Sequence, residues 1–419
     1  DPDNDNDEVA SANAYEIRCL SKVISEDQNH YYGIASLVMP RNFAVYATFL
    51  NSAGTGYFGD GYRFDGPFHS NSVVTLSSET AGRDSDPWFY TLSMVPDYYL
   101  YLIPGTGVTQ VASTPQHGNL WVEPYEKMLL GEPYFVLEAD SIPFGSDEVS
   151  WEGTYNAASS GGLVLNGLAD GTRMILLEDT LLVREGPGTP ETRYALANYD
   201  NPVVWINNGV NETVYLKTEE QEPARDHGLP MGLTIGVNGN LAVAGPILYN
   251  NIDLTDPNNN NMLGIVIKNG DFLIAHDPDM SGDSDWILVE DPTDERWDIN
   301  THSDDYPTGI EVDMVVMVLD GVFQMQDVTS WPYDEWPHQA IDFEIVGGYI
   351  INEEYITTWA SGSDTWGYLT FVTYDPRLMS THPPYFPQTG IWDTAYWDER
   401  PEMSELESAG EDWIGWDRI

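Results

Sequence analysis

A weak internal repeat in the second half of the chain is the feature that most limits how this sequence can fold. Each copy contains a short run in which apolar residues alternate with other residues, then a turn dipeptide, then a second such run. Alternation with a period of two is typical of β-strands that bury one face. The copies therefore predict an all-β body, and their turn dipeptides are Asn238-Gly239, Asn269-Gly270, Asp320-Gly321 and Gly347-Gly348.

The first copy indicates how the runs are arranged, because it contains three of them. Its inward-facing candidates are Ile235, Val237, Leu241, Val243, Ile247 and Tyr249. Three short strands separated by corners describe one coil of a parallel β-solenoid, a β-helix-like body whose coils stack about 4.8 Å apart. Taken singly, an Asn-Gly pair between alternating runs indicates a hairpin, so an antiparallel β-sandwich is the alternative.

The two ends of the chain differ from this body. Near the start, a spacing of three and four predicts a short amphipathic helix between residues 9 and 25, with apolar positions at Ala10, Ala14, Ile17, Leu20 and Ile24. The predicted organisation is an N-terminal helix with lead-in strands over residues 1–61, a solenoid-like body over residues 62–379, and an irregular, acidic, Trp-rich tail over residues 380–419.

Charge limits the environment and the partners of the protein. The 419 residues include 68 Asp or Glu against 16 Lys or Arg, a net charge of −52. Such a field repels nucleic acid and anionic lipid, and no run of 18 apolar residues predicts membrane insertion. Surfaces this acidic occur in proteins that stay hydrated in high salt and in exterior proteins whose carboxylates hold Ca²⁺. We therefore expect an extracellular or cell-surface protein, with a halophilic intracellular protein as the alternative.

One acidic segment has the residue order of a calcium-binding loop. Alternate side-chain oxygens converge in such loops, and a Gly, here Gly282, permits the tight turn. The usual bidentate Glu at the twelfth position is absent, because that position is Leu288. Ca²⁺ is the cofactor that this segment suggests, with ligands Asp277, Asp279, Ser281, Asp283 and Asp285.

The sequence shows no catalytic constellation. His69, Ser70 and Asn71 are interpreted as a polar trio at a turn, whose side chains bond to backbone groups. Arg377 is interpreted as an ion-pair partner for neighbouring carboxylates. No nucleophile elbow, zinc-protease motif or phosphate loop is present. The single cysteine, Cys19, excludes an intramolecular disulfide. We expect a protein without enzymatic activity.

Aromatic residues are concentrated towards the end of the chain, where 8 of the 14 Trp residues follow residue 330. Trp and Tyr rings bind sugars, anchor protein interfaces and pin loops to a body. A secreted β-helix protein that binds or cleaves carbohydrate is therefore the alternative function.

Several phrases, which keep their order along the chain, carry a resemblance to a known family. They are Gly66-Pro67-Phe68-His69-Ser70-Asn71, residues 233–249, residues 262–269, Tyr374-Asp375-Pro376-Arg377-Leu378, and residues 383–387. Together they resemble an uncharacterised family of exported bacterial proteins, many of which carry a type IV pilin-like leader helix ahead of a β-rich body. The family's apolar leader helix has no match here. The resemblance implies a surface or extracellular structural role.

These observations favour a structural function. We expect a self-assembling filament or matrix subunit, or a pilus-associated subunit, that cations stabilise. The expected partner is a second copy of the chain, in a homo-oligomer or polymer, with polysaccharide as a further partner class.

Overall fold

The computed structural model describes residues 15–24, 29–52, 63–77, 88–95, 99–103, 108–112, 135–136, 138–149, 151–186, 188–209, 211–218, 228–250, 253–254, 256, 259–275, 309–326, 341–354, 357–361, 364–379 and 381–403. Within these residues the chain is mostly β, as predicted. One helix, α1 (Glu152–Gly161), and short 3-10 turns at Phe43–Val45, Leu196–Asn198 and Pro376–Met379 accompany the strands. The strands are β1 (Tyr15–Ile24), β2 (Asn29–Asn42), β3 (Thr48–Ser52), β4 (Arg63–Ser70), β5 (Thr75–Ser77), β6 (Trp88–Met94), β7 (Tyr99–Ile103), β8 (Val108–Ala112), β9 (Phe135–Val136), β10 (Leu163–Asn166), β11 (Thr172–Leu177), β12 (Thr180–Arg184), β13 (Thr192–Ala195), β14 (Val203–Asn207), β15 (Thr213–Thr218), β16 (Leu233–Asn238), β17 (Asn240–Val243), β18 (Leu263–Ile267), β19 (Phe272–Ile274), β20 (Ile310–Met325), β21 (Ile341–Glu354), β22 (Thr358–Ser361), β23 (Asp364–Tyr374) and β24 (Gln388–Met403).

The two ends of the chain form one unit, residues 1–42 with 388–419, and residues 43–387 form another. In the first unit β2 lies between β1 and β24, and both pairings are antiparallel. These divisions, at residues 42 and 387, differ from the predicted ones at 61 and 379. The ends of the chain therefore belong together, which the sequence did not indicate.

Two predicted terminal elements are wrong where the structure describes them. Tyr15–Ile24 is a strand and not part of a helix. The helical spacing there coexists with a period of two at Tyr15, Ile17, Cys19 and Val23, and pairing with β2 selects the second pattern. Gln388–Met403, predicted to be irregular, forms the strand that pairs with the other edge of β2.

Ladder A is the longest parallel ladder among the described strands of the second unit. In spatial order it joins β10, β14, β16, β18, β20, β21, β3, β4, β6 and β9. One residue of each strand is paired in register with the next along the ladder, in the order Leu163, Val204, Ile235, Ile265, Val316, Tyr349, Thr48, Phe68, Leu92 and Phe135. The first six of these residues are buried in one common core.

Ladders B and C contribute to the same core. Ladder B joins β11, β15, β17, β19 and the end of β20, with facing residues Met174, Leu216, Val243, Ile274 and Met325. Ladder C includes an isolated bridge and parts of β20, β21, β23, β4 and β6, with facing residues Ile247, Val312, Ile345, Val372, Phe64 and Phe89. Because parallel strands in all three ladders share one apolar interior, the core runs along the stack from β10 to β4.

The first three copies of the repeat lie parallel and in register, as predicted. The fourth copy is also parallel but is offset by one run, because its first run lies in ladder C and its second run in ladder A, so the prediction of a common register is wrong for this copy. The three runs of the first copy enter three different ladders, with β16 in A, β17 in B and Ile247 in C. The alternative, in which the runs of each copy pair as antiparallel hairpins of a sandwich, is therefore wrong for these copies. All six inward-facing candidates of the first copy are buried in the common core.

The turn dipeptides of the first three copies stack in the corner between ladders A and B. A Cβ atom on Gly270 would lie 2.2 Å from the carbonyl oxygen of Gly239, and one on Gly321 would lie 1.9 Å from that of Gly270. Only Gly permits backbones to approach this closely. The fourth dipeptide, Gly347-Gly348, lies elsewhere, between ladders C and A.

Chain order and spatial order differ in this stack. Strands β3, β4 and β6 come early in the chain but stack beyond β21, whereas β10 begins the stack at the opposite end. The chain therefore has to return along the stack between β9 and α1. Among the described residues, no helix is both long and apolar enough to cross a bilayer.

Candidate functional site

The outer side of ladder A is covered by two other segments of the same chain. Its side chains alternate with the inward-facing ones and form a second column along the ladder. Six members of this column are at most 3% exposed: Trp205, Val266, Met317, Ile350, Phe49 and His69. Two irregular segments of the same chain pack on this side, residues 138–151 (strap 1) and residues 375–387 (strap 2).

Strap 1 is held near its start by Asn71. The Asn71 Oδ1 atom accepts a hydrogen bond from the amide of Ile142 at 3.1 Å, and its Nδ2 donates to the Ile142 carbonyl at 2.7 Å. Phe144 then packs against Phe43 and Phe49, with ring centroids 5.5 and 5.0 Å apart. A side-chain amide that bonds both backbone groups of one residue fixes the position of that segment.

The second half of strap 1 contacts later coils. The amide of Ser146 donates to Asp320 Oδ1 at 3.0 Å. The ring of Trp151 stacks on Trp205 with centroids 5.6 Å apart, and Lys268 Nζ lies 3.7 Å from the centroid of the Trp151 ring. The indole and the cation thus attract each other while they fasten the strap to the ladder.

Strap 2 approaches the ladder at two positions where the ladder has small side chains. The hydroxyl of Thr234 donates to the carbonyl oxygen of Pro384. Phe386 occupies the space above Gly264, where a Cβ atom would lie 2.6 Å from its ring. A larger residue at Gly264 would displace Phe386, so this Gly creates the seat for the strap.

A buried ion pair anchors the start of strap 2. Arg377 Nη2 lies 2.6 Å from Asp375 Oδ2, and the two side chains are 1% and 2% exposed. Arg377 Nη1 donates to the Asn259 carbonyl at 3.1 Å and to Asn261 Oδ1 at 2.8 Å. The guanidinium carbon also lies 5.7 Å from the centroid of the Tyr249 ring. The predicted ion-pair role of Arg377 is confirmed.

Two tyrosines close to this pair serve as hydrogen-bonding groups. Burial raises the pKa of Tyr249 above its ordinary value, and the negative charge of Asp313 raises it further. Its Oη accepts a hydrogen bond from the Leu263 amide at 2.8 Å. Burial likewise raises the pKa of Tyr374, whose hydroxyl donates to the Val45 carbonyl at 3.1 Å. Both hydroxyls therefore stay protonated at neutral pH, where they cannot act as bases.

His382 is a titratable group of strap 2 whose pKa the fold lowers. Burial holds its pKa below the usual 6.5, only partly opposed by a hydrogen bond from its Nδ1 to the Pro383 carbonyl at 3.2 Å. The unfolded chain binds the proton more readily than the folded chain, so the stability contributed by neutral His382 is complete above pH 6.5. That contribution is lost as the pH falls from 6.5 towards the folded pKa.

We therefore expect the wild-type protein to lose more free energy of unfolding between pH 7.5 and 5.5 than the His382→Gln variant. Urea titrations at several pH values in constant salt measure this difference. The other seven histidines are the same in both proteins, so their contributions cancel in the comparison. Equal pH slopes for the two proteins would contradict the assignment.

The predicted polar trio lies at the end of β4 and in the turn that follows, and Ser70 and Asn71 bond to backbone groups as predicted. One ring nitrogen of His69 lies 3.1 Å from Ser93 Oγ, and the other lies 3.1 Å from Asn71 Oδ1. The Ser70 hydroxyl is fully buried and donates to the Ser72 carbonyl at 2.8 Å. Because the serine bonds to backbone and not to the histidine, the trio has no nucleophile–base geometry.

A ladder of asparagine amides runs along the corner between ladders A and B. Each Nδ2 donates to the Oδ1 of the preceding coil: Asn269 to Asn238 at 2.8 Å, Asn238 to Asn207 at 2.8 Å, and Asn207 to Asn166 at 3.3 Å. Sequence reasoning missed this ladder. The signal was the equal separation of 31 residues between Asn207, Asn238 and Asn269.

Replacing Asn238 by alanine should remove both of its amide hydrogen bonds and destabilise the protein by about 2 kcal/mol. The measurement is the urea midpoint at an unchanged m-value. Asn250→Ala is the matched control, because Asn250 is exposed and its one hydrogen bond among the described residues runs from its backbone amide to the Leu229 carbonyl. A loss for Asn238→Ala no larger than that of the control would show that the ladder adds no stability.

Other predicted site residues fall elsewhere. The candidate calcium ligands Asp277, Asp279, Ser281, Asp283 and Asp285 lie outside the described residues, so that site remains a prediction. Within the described ranges no three His, Cys, Asp or Glu side chains are grouped to hold a metal ion. Of the late Trp residues, Trp359 and Trp366 are paired in register in the β22–β23 hairpin, and Trp392 and Trp397 lie in β24.

Comparisons with known proteins add little to this geometry. No protein-family model matches the chain, and no curated protein sequence matches it. Among solved structures, the competence-associated pilin ComZ from Thermus thermophilus is similar at a TM-score of 0.37 and 9% identity, over 93% of this chain and 82% of that chain. A TM-score this low carries no functional argument, so function has to be argued from the residues of the chain itself.

Proposed function

We propose that this chain is a non-enzymatic structural protein of the cell surface or the extracellular medium. In this proposal its body is a parallel β-solenoid in which ladders A, B and C are three faces of one stack. The protein acts as a subunit that self-assembles into a filament or matrix, or joins a pilus. The observation that carries the proposal is the single apolar core that all three ladders share, since a filled interior of this kind suits a rigid scaffold.

The strap-covered face supports a structural role. Its described polar groups, among them Asn71 and Arg377, bond to the chain's own backbone and side chains. The Trp151 ring is likewise engaged by Trp205 and Lys268. Groups engaged in this way hold segments in place and have little capacity left for substrate.

Charge sets the conditions for assembly. Copies that each carry −52 repel one another at low ionic strength, and salt shortens the range of that repulsion to about 3 Å at 1 M. Cations therefore stabilise association in this proposal, and residues 277–285 are the segment proposed to bind Ca²⁺. Nucleic acid and anionic membranes are not proposed as partners.

Electron microscopy with light scattering tests the proposal at low salt, in 1 M NaCl and with millimolar Ca²⁺. We expect monomers in the first condition and ordered assemblies in at least one of the others. Monodisperse monomers in every condition would overturn the structural role. Calorimetry of Ca²⁺ binding to the wild type and to Asp279→Ala separates the ion-specific effect, and equal heats would dismiss the calcium loop.

A further inference from the structure

The chain can be divided along its sequence into a first part with strands β1 to β9 and a second part with strands β10 to β24. These parts are not the two units described above. Strands β1 to β9 precede residue 137, and strands β10 to β24 follow residue 150. Pairings of β2 with β24, β3 with β21 and β4 with β23 join the two parts. Residues 137–150 are the covalent connection between them. We call this meeting of the two parts the joint.

The joint has the chemistry of a protein core. Its strands pair through backbone hydrogen bonds, with Phe49 facing Ile350 and Leu50 facing Ile351 across the ladder, and all four side chains are fully buried. Asn51 Nδ2 also donates to Asn352 Oδ1 at 2.8 Å. None of these contacts depends on whether the two parts belong to the same polypeptide.

The connection is fastened to both parts near its two ends. Ile142 and Phe144 bind the first part, through Asn71 and through Phe49, whereas Trp151 stacks on the second part. A change of path therefore needs to alter the backbone only between Phe144 and Trp151, and the one described hydrogen bond to the second part inside that stretch is the one from the Ser146 amide to Asp320. Gly145, which has a φ of 118°, lies at the start of that stretch and has the conformational freedom of a hinge.

We propose that the joint also forms between two copies of this chain. The β1–β9 part of one copy then stacks on β21 and β23 of the next copy, and its β2 pairs with the next copy's β24. This exchange is a domain swap, and the partner it requires is a second copy of the chain. The inference rests on the proposed function, because it identifies the contact through which copies assemble.

Concentration and salt decide between the closed and the swapped forms. A short linker keeps the two parts of one chain at an effective concentration on the order of millimolar relative to each other. The closed monomer therefore prevails in dilute solution. Chains that fold at high concentration find the joint of a neighbour instead. The charge of −52 opposes that encounter at low salt, and molar salt removes most of the opposition.

Disulfide trapping tests the swap directly. In a Cys19→Ser background, the pair Asn51→Cys with Asn352→Cys lies across the joint, on neighbouring strands whose Cα spacing of about 4.8 Å suits a disulfide. The matched control is Asn207→Cys with Asn238→Cys. The two Asn side chains are joined by a hydrogen bond of the same 2.8 Å length, but both lie within the second part. Each protein is refolded in 1 M NaCl at rising concentration, oxidised, and run on non-reducing gels beside light scattering.

The expected result is a ladder of covalent oligomers for the joint pair, growing with concentration, while the control pair stays monomeric on the gel. Assembled particles whose joint pair runs only as a monomer would overturn the swap and leave the proposed function standing. Failure of every protein, including the wild type, to assemble at any concentration would overturn both.

Discussion

Replacing Arg377 by alanine is expected to lower the free energy of unfolding by about 3–5 kcal/mol, because it leaves the Asp375 carboxylate buried without its cation. The loss exceeds that of an ordinary hydrogen bond, since the desolvation of a charge is no longer offset by its partner. The guanidinium also bonds Asn259 and Asn261, so the start of strap 2 loses its anchor. Urea unfolding in constant salt measures the effect.

The chain offers a matched control for this change. Arg193 and Glu191 form an ion pair with the same spacing of two residues, but the Arg193 side chain is 63% exposed. Arg193→Ala should cost no more than about 0.5 kcal/mol. The double variant Asp375→Ala with Arg377→Ala should recover part of the loss, because neither buried charge remains. Equal losses of unfolding free energy for Arg377→Ala and Arg193→Ala would contradict the importance of burial.

Replacing Gly321 by alanine is expected to destabilise the protein by about 3 kcal/mol, near the upper end of what overpacking costs. The new Cβ atom would lie 1.9 Å from the Gly270 carbonyl oxygen and 2.5 Å from its carbon. Both atoms belong to the backbone, so no side chain can move aside. The corner between ladders A and B has to open, which strains the register of the strands on either side. Thermal and urea unfolding measure the loss.

Gly153→Ala is the control for that substitution. Gly153 lies in α1, and a Cβ atom there would meet nothing within 4 Å. Alanine is favoured over glycine in a helix, so this variant should be as stable as the wild type or more stable by up to about 1 kcal/mol. The two identical chemical changes should therefore differ in sign or size. A small effect at Gly321 would mean that the corner is looser than its backbone distances indicate.

Much of the local structure of the body could be predicted from residue patterns. Alternation identified strands such as β16 and β17, and it identified the correct inward faces, because the side-chain period of a strand is a local property. The helical interpretation was wrong at Tyr15–Ile24, where apolar residues satisfy both a helical and an extended pattern. Pairing with β2, whose residues follow later in the chain, resolved that ambiguity.

The candidate site was less accessible to prediction. The ion-pair role of Arg377 followed from its neighbour Asp375 in sequence and is confirmed. The partner of His69, Ser93, lies 24 residues away, and the sequence did not indicate it. The packing of the two straps on ladder A could not be predicted from the sequence, because each strap is an irregular segment whose partners are distant in the chain. Tyr385, for example, bonds to Asn201 across 184 residues. No local pattern encodes such a contact.

By itself, the sequence determined the strand-forming segments, the glycine corners, the overall negative charge and the buried face of each repeat. These properties depend on single residues and their immediate neighbours. Only the tertiary structure decided that the copies stack in parallel, that β3 joins the stack beside β21, and that two straps cover ladder A. An alternating segment is equally compatible with a hairpin partner and with a stacked one, so the choice is made by the burial and hydrogen bonding of strands that lie far apart in the chain.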